Sequence, residues 1–188
     1  MHGILKKFTL DFLNNDVKKI YKILRTNNLN VNSKSNTKFD PVTDIDLKIN
    51  ALLLNKIKSY FPKHNIKSEE TDYVDNSSNY TWFIDPLDGT KNYIFGLNYY
   101  SILVGLSFKN KPIYSLIFFP NNNELYFSIN NKSFYYSFSK KKIFNLRKII
   151  KKSLILSKNI KILINSIHTF KSKKIINFFK NKNFLCKI

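Results

Sequence analysis

The chain has little of what staples a fold or anchors it in a membrane. One cysteine, Cys186, among 188 residues excludes an intrachain disulfide and fits no metal-site pattern; its default role is a buried structural thiol. No run reaches the roughly eighteen apolar residues that a membrane-spanning helix needs. The start, Met1-His2-Gly3-Ile4-Leu5-Lys6-Lys7, lacks the apolar core of a secretory signal, so a cytoplasmic protein without a membrane segment is expected. Glycine (4) and proline (5) are scarce, while lysine, asparagine, isoleucine, phenylalanine and tyrosine abound, which is the mark of AT-rich coding. Carboxylates are scarce too, 12 against 32 Lys and Arg, for a net charge of +20. That excess could advertise nucleic acid or an anionic substrate, but the coding bias explains it without either. The lysines gather only loosely, around Lys140–Lys142 and Lys148–Lys152, and form no basic stripe with interleaved stacking aromatics.

What is present argues for a folded domain. Hydrophobic residues make up 43% and aromatics 15%, enough for one full core or two small lobes. The few acids are placed unevenly: eleven of the twelve lie at or before Asp88, and only Glu124 follows. In so basic a chain, that concentration suggests carboxylates kept to hold cations.

The densest stretch is Trp82-Phe83-Ile84-Asp85-Pro86-Leu87-Asp88-Gly89-Thr90. An apolar, β-prone run reads as a buried strand that meets two carboxylates, a proline, a glycine and a hydroxyl where it stops. Pro86 fixes its own φ and holds Asp85 extended, so Asp85 and Asp88 can project from one rigid turn. Oxygen donors of this kind, with the carbonyl of Leu87, suit a hard ion such as Mg²⁺. Gly89 allows close approach of an anion, and Thr90 with the amides after it can begin a helix that receives phosphate. The plainer alternative is a strand ending in an ordinary Asp-Gly turn.

The string Asp85-Pro86-Leu87-Asp88-Gly89-Thr90, with Ser68-Glu69-Glu70 upstream, resembles the signature of the inositol monophosphatase-like superfamily of Mg²⁺-dependent, lithium-sensitive phosphatases. A second element, Asp40-Pro41-Val42-Thr43-Asp44-Ile45-Asp46, is similar to that family's Pro-Val-Thr-x-x-Asp. The resemblance implies an α/β fold, the α-β-α-β-α sandwich of the inositol monophosphatase/fructose-1,6-bisphosphatase type. It implies two or three Mg²⁺ ions on Glu69, Glu70, Asp85, the Leu87 carbonyl and Asp88. It gives Asp46 and Thr90 the attacking water, and places substrate against Glu70, Leu87, Asp88, Gly89 and Thr90. Among superfamily members, Ser-Glu-Glu and Asp-Gly-Thr-Lys are most similar to 3'(2'),5'-bisphosphate nucleotidases. The run Ile162 to Thr169 looks like their nucleotide-contacting Ser-x-Ser-His segment, so Asn165 and His168 inherit that role; a structural histidine is the alternative. Departures exist: Asn92-Tyr93 stands where the group has Glu-Phe, and Phe39 to Thr43 is similar to histidinol-phosphatases. Family members also continue through a Gly-Ser-Ser segment to a Trp-Asp motif that this chain does not contain, so the C-terminal part is expected to be incomplete. The expected partner is a small phosphorylated substrate rather than nucleic acid, with a homodimer among the expected assemblies. A basic nucleic-acid-binding protein without activity is the reading from another class.

Helical spacing is expected over residues 4–26 with a break near Asn14-Asn15, then a loop over 27–39. Thr43 is an N-cap candidate with Asp46 completing a capping-box pattern, for a helix to about Tyr60. Strands are expected at 64–68, 80–85, 99–108, 113–119, 125–129 and 134–138, then a lysine-rich exposed connection over 139–158. A strand at 161–165, a helix at 170–180 and a strand at 184–188 complete the pattern. The expected division is an N-terminal α+β lobe, 1–158, carrying the site, and the start of a C-terminal α/β lobe, 159–188.

Overall fold

The computed structural model describes residues 1–26, 31–33, 41–146, 161–162 and 185–186. Contacts divide the chain into two units, Met1–Leu146 and Arg147–Ile188. The first begins with α1 (His2–Asp11), which passes through a single π-helical turn, Phe12–Asp16, into α2 (Val17–Leu24). The break read at Asn14-Asn15 is this turn. Its wider i→i+5 winding brings Asp11 and Asp16 to one side of the helix. There the buried Lys56 ammonium lies 2.6 Å from a carboxylate oxygen of each.

Two short strands follow, β1 (Val31–Ser33) and β2 (Pro41–Thr43), paired antiparallel. β1 corrects the expectation of an unbroken loop over 27–39; its asparagine and serine form a strand because β2 supplies the ladder partner. Helix α3 (Asp44–Tyr60) starts as its sequence demands. Thr43 accepts from the amides of Ile45 and Asp46, and the Asp46 carboxylate accepts in return from the Thr43 amide at 2.8 Å. Such a cap contributes on the order of 1 kcal/mol. Ile45, Ile49, Leu53 and Ile57 recur at helical spacing and are fully buried.

A seven-stranded sheet runs in chain order: β3 (Asn65–Ser68), β4 (Tyr80–Asp88), β5 (Ser101–Phe108), β6 (Lys111–Phe119), β7 (Glu124–Ile129), β8 (Lys132–Ser137) and β9 (Lys142–Asn145). The five-residue α4 (Thr90–Ile94) lies between β4 and β5. β3 and β4 are parallel, and every other pair is antiparallel. β9 corrects the reading of 139–158 as connection only: Lys142–Asn145 pairs with β8 despite its lysine. Alternation sets the two faces. Trp82 and Ile84, Ile102, Val104 and Leu106, and Leu116 and Phe118 turn inward to a core shared with Phe8, Phe12 and Ile20 of the first helices. Phe8 meets Tyr60, Phe61, Trp82 and Tyr114 ring to ring. The layered α/β class is the one expected.

In the second unit, β10 (Lys161–Ile162) and β11 (Leu185–Cys186) pair in parallel, where strands were expected. The helix expected over 170–180, together with Asn165 and His168, lies outside the described residues.

Candidate active site

Register puts the acids together. In the parallel pair Ser68 lies opposite Ile84, and the Glu69 amide donates to the Ile84 carbonyl at 3.1 Å. The residues that follow, Glu69 just past the end of β3 and Asp85 still within β4, therefore lie side by side. On the other flank Asp85 lies opposite Leu103 and Asp88 opposite Ser101, so β4 uses three steps where β5 uses two. This is a β-bulge centred on Pro86-Leu87, a position that tolerates proline's missing donor. In a regular strand, residues three apart point to opposite faces. The extra residue turns Leu87 inward, where it is buried, and leaves Asp88 exposed on the side of Asp85. The strand thus extends to Asp88, three residues past the expected end.

The turn beyond is tightly built. Gly89 has φ +89°, and a Cβ there would come 2.7 Å from the Tyr99 carbonyl oxygen, so glycine is required on two counts. The Asn92 amide group donates to that same carbonyl at 2.7 Å and clips the following loop against the turn. Thr90 opens α4, and its hydroxyl lies 3.0 Å from Asp46 Oδ1 and 2.9 Å from the Leu87 carbonyl. A hydroxyl has one hydrogen, so the two acceptors share it. Asp46 is 1% exposed, and its other oxygen, Oδ2, takes the Thr43 amide and hydroxyl. The capping role and the link to Thr90 therefore coexist on one carboxylate, an oxygen for each.

An open cleft of about 350 Å³ gathers these parts, lined by Glu69, Asp85, Leu87, Asp88, Gly89, Thr90, Lys91 and Asn92. Asp85 accepts from the Leu87 amide at 3.2 Å, and Asp88 from the Ser101 hydroxyl at 3.3 Å. Burial, then the charges of Glu69 and Asp88 and a hydrogen bond to Glu69, push the Asp85 carboxyl up to about 7. Among the described residues, no three His, Cys, Asp or Glu side chains are drawn tightly enough together to hold a metal ion. The donor set nevertheless fits a hard divalent cation: its members are oxygens alone, and a cation among them would relieve the repulsion felt by Asp85.

Of the residues expected at the site, Glu69, Asp85, Leu87, Asp88, Gly89 and Thr90 line the cleft, and Asp46 braces it from beneath. Glu70 is half-buried and not among the cleft walls; its amide lies 3.4 Å from the Ser68 hydroxyl. Lys91, Asn92 and Ser101 are additions. The first two follow Thr90 directly and could have been read from the motif, whereas Ser101 arrives by antiparallel pairing.

Residues 11–182 match the model of the inositol monophosphatase family. The chain belongs to that family. Within it, the chain is 34% identical over 91 residues to the Nus factor SuhB of Haemophilus influenzae, covering 48% of this chain and 34% of that one. It is 36% identical over 94 residues to the 3'(2'),5'-bisphosphate nucleotidase CysQ of the same organism, covering 47% and 35%. A crystal structure of an IMPase/NADP phosphatase complexed with Mg²⁺ and phosphate superposes with TM-score 0.60 at 22% identity, covering 76% of this chain and 50% of that one. That likeness concerns the fold. The chain spans about a third of the length of these curated relatives.

Proposed function

We propose that the cleft is the site of a divalent-metal-dependent phosphomonoester hydrolase whose substrate is adenosine 3',5'-bisphosphate. The observation that carries this reading is the convergence on one cleft of Glu69, Asp85 and Asp88 with a Thr90 hydroxyl bonded to the buried Asp46. Mg²⁺ would be held by Glu69, Asp85, Asp88 and the Leu87 carbonyl, with Glu70 adjacent in sequence. When bound it neutralises phosphate oxygens and acidifies a coordinated water.

The chain's own groups do the rest. Asp46 Oδ1 keeps the Thr90 hydroxyl oriented, and that oxygen retains lone pairs to accept from the attacking water. A proton leaving the water is thereby drawn toward the Thr90–Asp46 pair. The amides of Gly89 and Thr90 present donors to the phosphate, and the rigid turn fixes their direction. Water oxygen bonds to phosphorus as the ester oxygen departs and takes up a proton. Similarity to CysQ over the matched half of the chain supports the nucleotide as substrate.

Phosphate release from adenosine 3',5'-bisphosphate, inositol 1-phosphate and histidinol phosphate tests the reading, with Mg²⁺ and with EDTA. Expected is Mg²⁺-dependent release, fastest from the bisphosphate and abolished by Asp88→Asn. Release that survives both EDTA and Asp88→Asn would refute it.

A further inference from the structure

Two of the acids that line the cleft are held by different means. Asp85 accepts from a backbone amide, that of Leu87, which no side-chain substitution at that position removes. Asp88 accepts from a side chain: the Ser101 hydroxyl donates to its Oδ2 at 3.3 Å. Ser101 is 4% exposed and is not itself among the residues that line the cleft. It is the first residue of β5 and the cross-strand partner of Asp88. Cβ atoms of such a pair lie about 5 Å apart, near enough for a short serine side chain to reach the carboxylate from behind. The start of β5 is held in turn, because Asn92 clips the Tyr99 carbonyl just before it.

We propose that Ser101 is a positioning residue for the divalent cation: its hydroxyl holds Asp88 Oδ2 and so presents Oδ1 to the cleft, without touching cation or substrate itself. The inference rests on the phosphatase reading and deepens it. Asp88 is the last residue of β4 and is exposed, so its carboxylate turns about two side-chain bonds unless something holds it, and that freedom is lost when a cation binds. A hydroxyl that fixes one oxygen beforehand lowers the cost. It also leaves the other oxygen's lone pairs free for the ion. Partners of this kind behind a ligating group typically carry 10–100-fold in metal affinity, about tenfold at the low end. The same strand supplies a control. Ser107 is 8% exposed toward the other end of β5, and its hydroxyl lies 3.5 Å from the Thr81 carbonyl. Alanine there also removes a buried hydroxyl, but one that meets no carboxylate.

The test is binding of Mn²⁺ alone to the 188-residue chain, by titration calorimetry, with melting curves of the metal-free variants alongside. Ser101→Ala is expected to weaken Mn²⁺ by about tenfold. Ser107→Ala is expected to leave Mn²⁺ affinity unchanged, although the two variants melt at similar temperatures. Ser101→Thr keeps the hydroxyl and is expected to bind like wild type. In phosphate release, Ser101→Ala should need about tenfold more Mg²⁺ for half its maximal rate and approach the wild-type rate at saturation. Wild-type Mn²⁺ affinity in Ser101→Ala overturns the proposal and leaves the phosphatase reading standing. Equal weakening by Ser107→Ala does the same, since it marks a general loosening of β5, and so does a threonine variant as weak as alanine. A wild-type chain that binds no Mn²⁺ overturns the proposal and the phosphatase reading together.

Discussion

Three glycines provide an internal measure of how firmly the turn after β4 is set. Gly89 combines φ +89° with an added-Cβ distance of 2.7 Å to the Tyr99 carbonyl; Gly96 has φ +71° with nothing within 4 Å; Gly3, in α1, has neither restriction. Alanine at Gly96 should cost the left-handed conformation alone, about 1–2 kcal/mol. At Gly89 the same cost applies, and the backbone must also move several tenths of an ångström against a carbonyl already held by Asn92, about 1–3 kcal/mol more. At Gly3 alanine gains helix propensity, up to about 1 kcal/mol. For a chain of this length 1 kcal/mol moves the melting temperature by about 2–4 °C. Melting curves of the three variants should therefore rank Gly3→Ala at or above wild type, Gly96→Ala a few degrees below it, and Gly89→Ala lowest by roughly 5–15 °C. If Gly89→Ala melts with Gly96→Ala, the close approach to Tyr99 is not a constraint and the rigidity argued for the turn is wrong.

Thr90→Val keeps the shape of the side chain but removes the hydroxyl shared by Asp46 and Leu87, and should lower phosphate release by about 10²–10⁴-fold while Thr90→Ser restores most of it; a serine variant as slow as valine would count against the hydroxyl's role. Lys56→Met leaves Asp16, whose side chain is 6% exposed, with only the solvent-exposed Lys19 ammonium at 3.8 Å, and should destabilise by about 3 kcal/mol in urea unfolding, with a loss under 1 kcal/mol telling against the triad. His64 accepts from the Trp82 indole at 3.1 Å and stacks on Phe61 and Tyr80, and burial holds its pKa below the ordinary 6.5. Its neutral form is the folded one, so the unfolded chain binds the extra proton and stability falls as pH drops below about 6.5. Protonation of the raised Asp85 carboxyl works in the opposite direction over the same range, so the measure is the difference: from pH 8 to 5 the melting temperature of wild type should fall relative to that of His64→Phe.

Local chemistry made α3 legible: Thr43, Asp46 and the apolar spacing behind them lie within a few residues of one another, and the cap forms as read. The π turn was legible as a break but not in its form, because its reason, Lys56 seated between Asp11 and Asp16, comes from another helix 40 residues on. β1 and β9 were hidden for a related cause. Neither carries an apolar alternation of its own, and each is a strand only because a neighbour offers hydrogen bonds. The candidate site divides the same way. Asp85, Asp88, Gly89 and Thr90 lie in one string and could be assigned from it, whereas the choice between Glu69 and Glu70 turns on which of two consecutive residues faces the cleft where β3 ends.

That one-residue sensitivity explains why the site lies where it does. Among the described residues, the parallel pairing of β3 and β4 brings Glu69 and Asp85, the residues that follow Ser68 and Ile84, side by side. Only with the bulge at Pro86-Leu87 does the third acid join them, since a regular strand would send Asp88 to the face that carries Trp82 and Ile84. The turn is then tied to α3 through Asp46, one oxygen holding the helix start and the other holding Thr90. A substitution at Asp46 therefore loosens the helix cap and the hydroxyl together, and its effect on rate cannot be separated from its effect on fold. Thr90, which touches the cap only through that carboxylate, is the position where the two are separable.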